Sequence, residues 1–132
     1  MHHWGASLVI VMMFLHTLRV FFQGAYKKPR ELNWIVGVLI FFVMLGLGFT
    51  GYLLPWDMKA LFATKVGIQI AEQTPLIGPY IKTLLAGHSE IVGAQTLTRF
   101  FAIHVFFLPA ALLGLMAFHF IMIRKQGISG PL

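Results

Sequence analysis

Four histidines are the residues best placed for chemistry. His2 and His16 lie in the apolar stretch HHWGASLVIVMMFLHTLRVFF, and His104 and His119 lie in FFAIHVFFLPAALLGLMAFHFIMIRKQG. A polar ring left without a partner in hydrocarbon is costly, so something must bond these imidazoles. His2 and His16 are 14 residues apart, which on an α-helix is about 21 Å along the axis and about 40° around it. His104 and His119 are 15 apart, about 22 Å along and about 60° around. Each helix therefore presents two imidazoles on one face, at nearly matched depths. His2 can face His104 at one side of the bundle, and His16 can face His119 at the other.

A lone histidine in such a helix is more often a hydrogen-bonded packing residue or a proton relay than a ligand. Four in matched pairs shift the balance toward ligation. Facing neutral imidazoles in an apolar bundle suit haem iron, and two pairs at two depths would hold two haems. Zinc fits less well, because it wants three or four ligands at one point and no Asp or Glu lies inside these stretches. Pro109 sits between His104 and His119, and a kink or local unwinding there would absorb the one-residue mismatch between the two spacings. Gly37 and Gly51 repeat the 14-residue period and can let a flat group approach the backbone. Ordinary small-residue packing between membrane helices explains that spacing equally well. His3 and His88 read as solvated.

Three spanning helices must position these residues, over about 4–24, 34–54 and 100–123. The expected fold is an all-α membrane bundle forming a single membrane domain. A basic loop, GAYKKPREL, joins the first two spans, and Pro55 stops the second, with Trp56 suited to an interfacial belt. Residues 58–73 read as an amphipathic surface helix and 78–86 as a second short one. Arg19, Lys27, Lys28, Arg30, Arg124 and Lys125, opposed by Glu31, put a net +5 on one side. Lys59, Lys65, Lys82 and Arg99, against Asp57, Glu72 and Glu90, put +1 on the other. The 24–32 loop and the C-terminus are therefore expected on the cytoplasmic, negative side.

Composition agrees. The 132 residues are 58% hydrophobic and 11% charged, against roughly 25% charged in soluble domains. The net charge of +6 fits basic cytoplasmic loops, and no basic stripe interleaved with aromatics suggests nucleic acid. The chain has no Cys, so neither disulfides nor a covalently attached haem can form within it. No catalytic triad, P-loop or paired catalytic carboxylates appear, so the chain is not expected to be an enzyme alone. Asp57 reads as a helix-ending surface charge before a proton carrier. No secretory signal is visible at MHHWGAS.

HHWGAS with LHTLRV, GYLLPWD, TLTRFFAIHVFFLP and HFIMIRKQGISGPL together resemble the cytochrome b family. The resemblance covers essentially the whole chain. It is closest to the split form, cytochrome b6 and its bacterial menaquinol-oxidising relatives, and the 15-residue histidine spacing favours the split over the mitochondrial type. It implies that His2 and His104 ligate a low-potential haem b on the positive side, and His16 and His119 a high-potential haem b on the negative side. Gly37 and Gly51 match glycines that clear room for the porphyrins. Arg19 and Arg99 match arginines near haem propionates, where a guanidinium pairs with a carboxylate. The surface helices match elements lining a quinol-oxidation site. The family has a further helix before HHWGAS, so the chain is expected to be a fragment lacking about the first third of the subunit, with ISGPL as its natural end.

The implied activity is that of a di-haem subunit of a quinol:cytochrome c (bc/b6f-type) oxidoreductase. Quinol is oxidised outside, one electron leaves to a Rieske iron–sulfur protein and a c-type cytochrome, and the other crosses to reduce an inner quinone. Further implied partners are a subunit IV-like chain and a second copy in a dimeric complex. A bacterial plasma membrane is favoured, with the thylakoid as the alternative. Two other readings stay open: a di-haem membrane anchor of a quinone-linked dehydrogenase, and a haem-free proton-relay or transporter subunit.

Overall fold

The computed structural model describes residues 1–87 and 92–129. His88 and Glu90, and the last three residues of ISGPL, lie outside the described residues. Five helices carry the chain: α1 (His2–Phe22), α2 (Glu31–Leu53), α3 (Met58–Glu72), α4 (Gly78–Ala86) and α5 (Ala94–Gln126). No strand occurs among the described residues. Helices α1, α2 and α5 have 21, 23 and 33 residues and are apolar enough to cross a bilayer, whose hydrocarbon core needs about 20. This is the three-span all-helical architecture expected from the sequence. The third helix starts six residues earlier than its apolar run, because its polar first turns still make helical hydrogen bonds.

Local chemistry sets the helix ends. Beyond α1, Gly24 takes φ +61°, its N–H bonds the Phe21 carbonyl, and the Ala25 N–H bonds that of Val20. This is a Schellman closure, which favours glycine at the left-handed position. Glu31 sits in the first turn of α2, where a negative charge meets the positive end of the helix dipole. Pro55 follows the last turn of α2 as expected. Asp57 does not end that helix: it starts α3, its Oδ1 accepting from the Ala60 N–H at 2.8 Å.

The chain clusters into two compact units, residues 1–46 with 110 onward, and residues 47–109. In the second, Leu53, Ala60, Ile68, Ala86, Val92 and Phe100 form a buried cluster. The Phe49 and Phe100 rings tilt together at a centroid distance of 5.6 Å. One stripe of α3 (Ala60, Thr64, Ile68) is buried, whereas Met58, Phe62, Val66 and Ile70 along another stripe are exposed. Helix α3 thus has apolar side chains on two faces, only one of which the chain covers. Lys82 on α4 reaches Glu72 on α3 at 2.8 Å. Both side chains are partly exposed, so this pair adds at most about 1 kcal/mol.

In the first unit, Phe14 of α1 and Phe41 of α2 meet edge to face at a ring-centroid distance of 4.9 Å. Beside this contact α1, α2 and α5 leave a space between them.

Candidate functional site

That space is a cavity of about 560 Å³ within the first unit. It falls in the range of about 300–1,000 Å³ usual for ligand pockets. His16 of α1 and His119 of α5 both line it, together with Gly37 of α2 and apolar side chains such as Met13, Phe41 and Phe120. The inner histidine pair expected from spacing is therefore brought to one cavity. His119 is partly buried, with the Asn33 backbone beside its ring.

Gly37 lies beside this ring. A Cβ added at Gly37 would stand 3.5 Å from His119 Cε1. Arg19 and Arg30 also line the cavity, and no Asp or Glu does. This leaves a cationic edge on an otherwise apolar space, suited to a flat apolar group carrying carboxylates. Arg30, read from sequence only as a topology charge, donates through Nε to the Gly127 carbonyl at 3.3 Å and through Nη2 to that of Ile128 at 3.2 Å. It ties the first loop to the segment after α5. Its place in a loop gave no sign of this.

The second unit holds His104. A five-residue π-helical turn, Ile103–Phe107, interrupts α5 there, with the Leu108 N–H reaching back to the Ile103 carbonyl. The cause follows directly in the sequence. Pro109 has no N–H and its ring crowds the carbonyl four residues earlier, and a wider turn relieves both. The local unwinding expected at Pro109 is thus a π turn just before it. Such a turn takes up one residue more than an α-helix, which is the difference between the 14- and 15-residue spacings.

His104 packs directly on α2. A Cβ added at Gly51 would meet its Cε1 at 2.6 Å, far inside normal contact. Thr50, next in the chain, is 4% exposed, and its Oγ1 lies 3.2 Å from His104 Nδ1. Both glycines of α2 thus lie against a histidine of α5, Gly37 against His119 and Gly51 against His104. Their spacing alone left porphyrin clearance and small-residue packing equally open. His2 is exposed in the first turn of α1.

Arg99 Nη1 donates to the Thr83 carbonyl and, at 3.0 Å, to that of Leu84, so the guanidinium closes the last turn of α4. Gly87, at φ +80°, lies against it: a Cβ there would be 3.4 Å from Arg99 Cζ.

Among the described residues no three His, Cys, Asp or Glu side chains form a metal cluster. A group held by paired imidazoles must then bring its remaining metal ligands with it, as a porphyrin does. The apolar cavity with its two histidines and its cationic edge fits that group.

The chain is 93% identical over its full 132 residues to the menaquinol:cytochrome c reductase cytochrome b subunit of Bacillus subtilis, covering 59% of that protein. It is 48% identical to cytochrome b6 of Heliobacterium modesticaldum, covering 62% of it. A chain from the solved structure "Hyperthermophilic respiratory Complex III" superposes with a TM-score of 0.83 at 34% identity, over 96% of this chain and 34% of that one. The chain thus spans about three-fifths of the length of these curated relatives. The sequence profile described as cytochrome b(N-terminal)/b6/petB matches residues 7–132, and the chain belongs to that family.

Proposed function

We propose that this chain forms the di-haem electron-transfer region of the cytochrome b subunit of a quinol:cytochrome c oxidoreductase. The observation that carries the reading is the cavity that His16, His119 and Gly37 line together. His16 and His119 would hold the inner haem b, with Arg19 beside its propionates. His2 and His104 would hold the outer one, with Arg99 as the matching propionate arginine. Bound haem b supplies a one-electron carrier, and two imidazoles per iron fill both axial positions, which suits electron transfer rather than oxygen binding.

The residues supply the placement. The apolar spans keep water from the ligands, and the π turn at Ile103–Phe107 takes up the extra residue of the His104–His119 spacing. The glycines of α2 let the imidazoles approach its backbone. In the assembled complex, quinol oxidation at the outer face would send one electron to a Rieske iron–sulfur protein and a c-type cytochrome. The other would cross the membrane to an inner quinone. Helices α3 and α4 would border the outer quinol site, and a subunit IV-like chain would complete it. An upstream helix of the same subunit and a second copy of the complex would cover further faces of the spans. The relatives named for menaquinol favour that quinone and a bacterial plasma membrane. The basic 24–32 loop and the C-terminus would face the cytoplasm.

The test is haem b per subunit, by reduced-minus-oxidised spectrum and pyridine haemochrome, on the full-length subunit in membranes. Two haems, falling to one in His16→Ala or His119→Ala with the outer haem retained, support the assignment. A correctly inserted subunit without haem overturns it in favour of a proton relay.

A further inference from the structure

We propose that Arg30 is a positioning residue for the inner haem site: it holds the Gly127–Ser129 segment at the cationic edge of the cavity and so keeps water from the group bound there. The proposal rests on the haem-binding reading above. Arg30 starts from a braced backbone. Its N–H donates to the Lys27 carbonyl at 2.9 Å, and its own carbonyl accepts the Trp34 N–H at 3.0 Å, the first bond of α2. The Tyr26 ring of the same loop stacks on Phe21 of α1 at a centroid distance of 5.8 Å and lies 5.7 Å from Trp34 of α2. On the other side, Gly127 takes φ +74° and its N–H bonds the Ile123 carbonyl at 2.8 Å. This left-handed closure ends α5 and turns the chain off its axis. The next two carbonyls, of Gly127 and Ile128, are those that Arg30 Nε and Nη2 reach. A planar guanidinium presents both donors at fixed spacing, so one side chain fixes two successive peptides.

The segment held in this way belongs to the site. Arg30, Gly127, Ile128 and Ser129 line the same cavity as His16 and His119. Ile128 is 84% exposed, and a Cβ added at Gly127 would meet nothing within 4 Å. Side-chain burial therefore does little to keep the segment in place, and the two bonds from Arg30 carry that task. Its position bears on redox chemistry. With two neutral imidazole ligands, the ferric haem core carries a net positive charge and the ferrous core none, so water at its edge favours the ferric form. A segment that excludes water there favours reduction.

The test uses the full-length subunit in its complex, with hydrogen–deuterium exchange over Gly127–Ser129 and a redox titration that resolves the two haems by spectrum. Arg30→Met removes the donors, and exchange in that segment is expected to quicken about tenfold. The reduced-to-oxidised ratio of the inner haem at fixed ambient potential should fall about three- to tenfold, where tenfold is 59 mV for one electron. The outer haem should stay unchanged, which also reports a folded subunit. Gly127→Val strains the left-handed turn while keeping the Arg30 charge, and it should lower the inner ratio in the same direction. Adding Arg30→Met to it should change little more. Unchanged exchange in Arg30→Met, or faster exchange with an unmoved inner haem, overturns the role. Fully additive losses in the double variant also overturn it, because Arg30 then acts by its own charge and not through the segment. A wild-type subunit without haem removes the underlying reading instead.

Discussion

Replacing Gly51 by alanine tests the close approach of His104 to α2. The new methyl would begin 2.6 Å from His104 Cε1, 3.1 Å from Nδ1 and 3.3 Å from Nε2. Carbon atoms settle at about 3.5–4.0 Å, so the ring must retreat by about 1 Å. His104 sits in the π turn ahead of Pro109, where the backbone has little freedom to follow. The same retreat lengthens the 3.2 Å approach to Thr50 beyond hydrogen-bonding distance. Overpacking of this kind costs about 1–3 kcal/mol, while alanine for glycine in a helix returns about 0.5–1 kcal/mol. A net loss of about 1–2 kcal/mol at the outer site should remain. Gly37→Ala is the internal control, because its methyl would meet His119 Cε1 at an ordinary 3.5 Å. The assay is haem stoichiometry and thermal loss of the outer and inner haem signals in membranes carrying each variant. Gly51→Ala should lower occupancy or melting of the outer haem, and Gly37→Ala should leave the inner haem near its original behaviour. Two full haems with unchanged melting in Gly51→Ala, or a larger defect in Gly37→Ala, would refute the contact argument.

Two further predictions concern the parts that support the site. Asp57→Ala removes the cap of α3 and should cost about 1 kcal/mol of stability, read as a lower denaturation midpoint, with Asp57→Asn recovering most of it. Arg99→Lys should loosen the end of α4, because a flexible ammonium does not hold the place of the planar guanidinium that donates to Thr83 and Leu84 and lies against Gly87; faster cleavage near Gly87 in limited proteolysis would show it, and an unchanged digestion pattern would count against this role for Arg99.

Much of this was legible because it depends on local sequence. Twenty-residue apolar runs dictate spans whatever surrounds them. Pro55 ends a helix through its own backbone chemistry, and the histidine period places His16 and His119 on matching levels before any packing is known. What escaped the sequence depends on which residue meets which across helices. Thr50 is one hydroxyl among many until His104 is seen beside it. Gly37 and Gly51 were recognised, but whether they admit a porphyrin or an imidazole is a matter of approach distance. Arg99 and Asp57 were read by charge, whereas their hydrogen-bonding geometry makes one the closure of α4 and the other the start of α3. Arg30 was counted toward topology, and its bonds to Gly127 and Ile128 join residues almost a hundred positions apart.

The widened turn at Ile103–Phe107 has a consequence for how such a chain can vary. An extra residue in a regular helix rotates everything beyond it by about 100°. Here the surplus is confined to one loosened turn, so the helix works as a ruler with one slack division. Insertion and register become separable: a residue can be gained at that turn without any ligand downstream changing its bearing. Removing one residue from 103–107 would draw the slack tight, whereas removing one from 110–118 would turn His119 away from the cavity it lines.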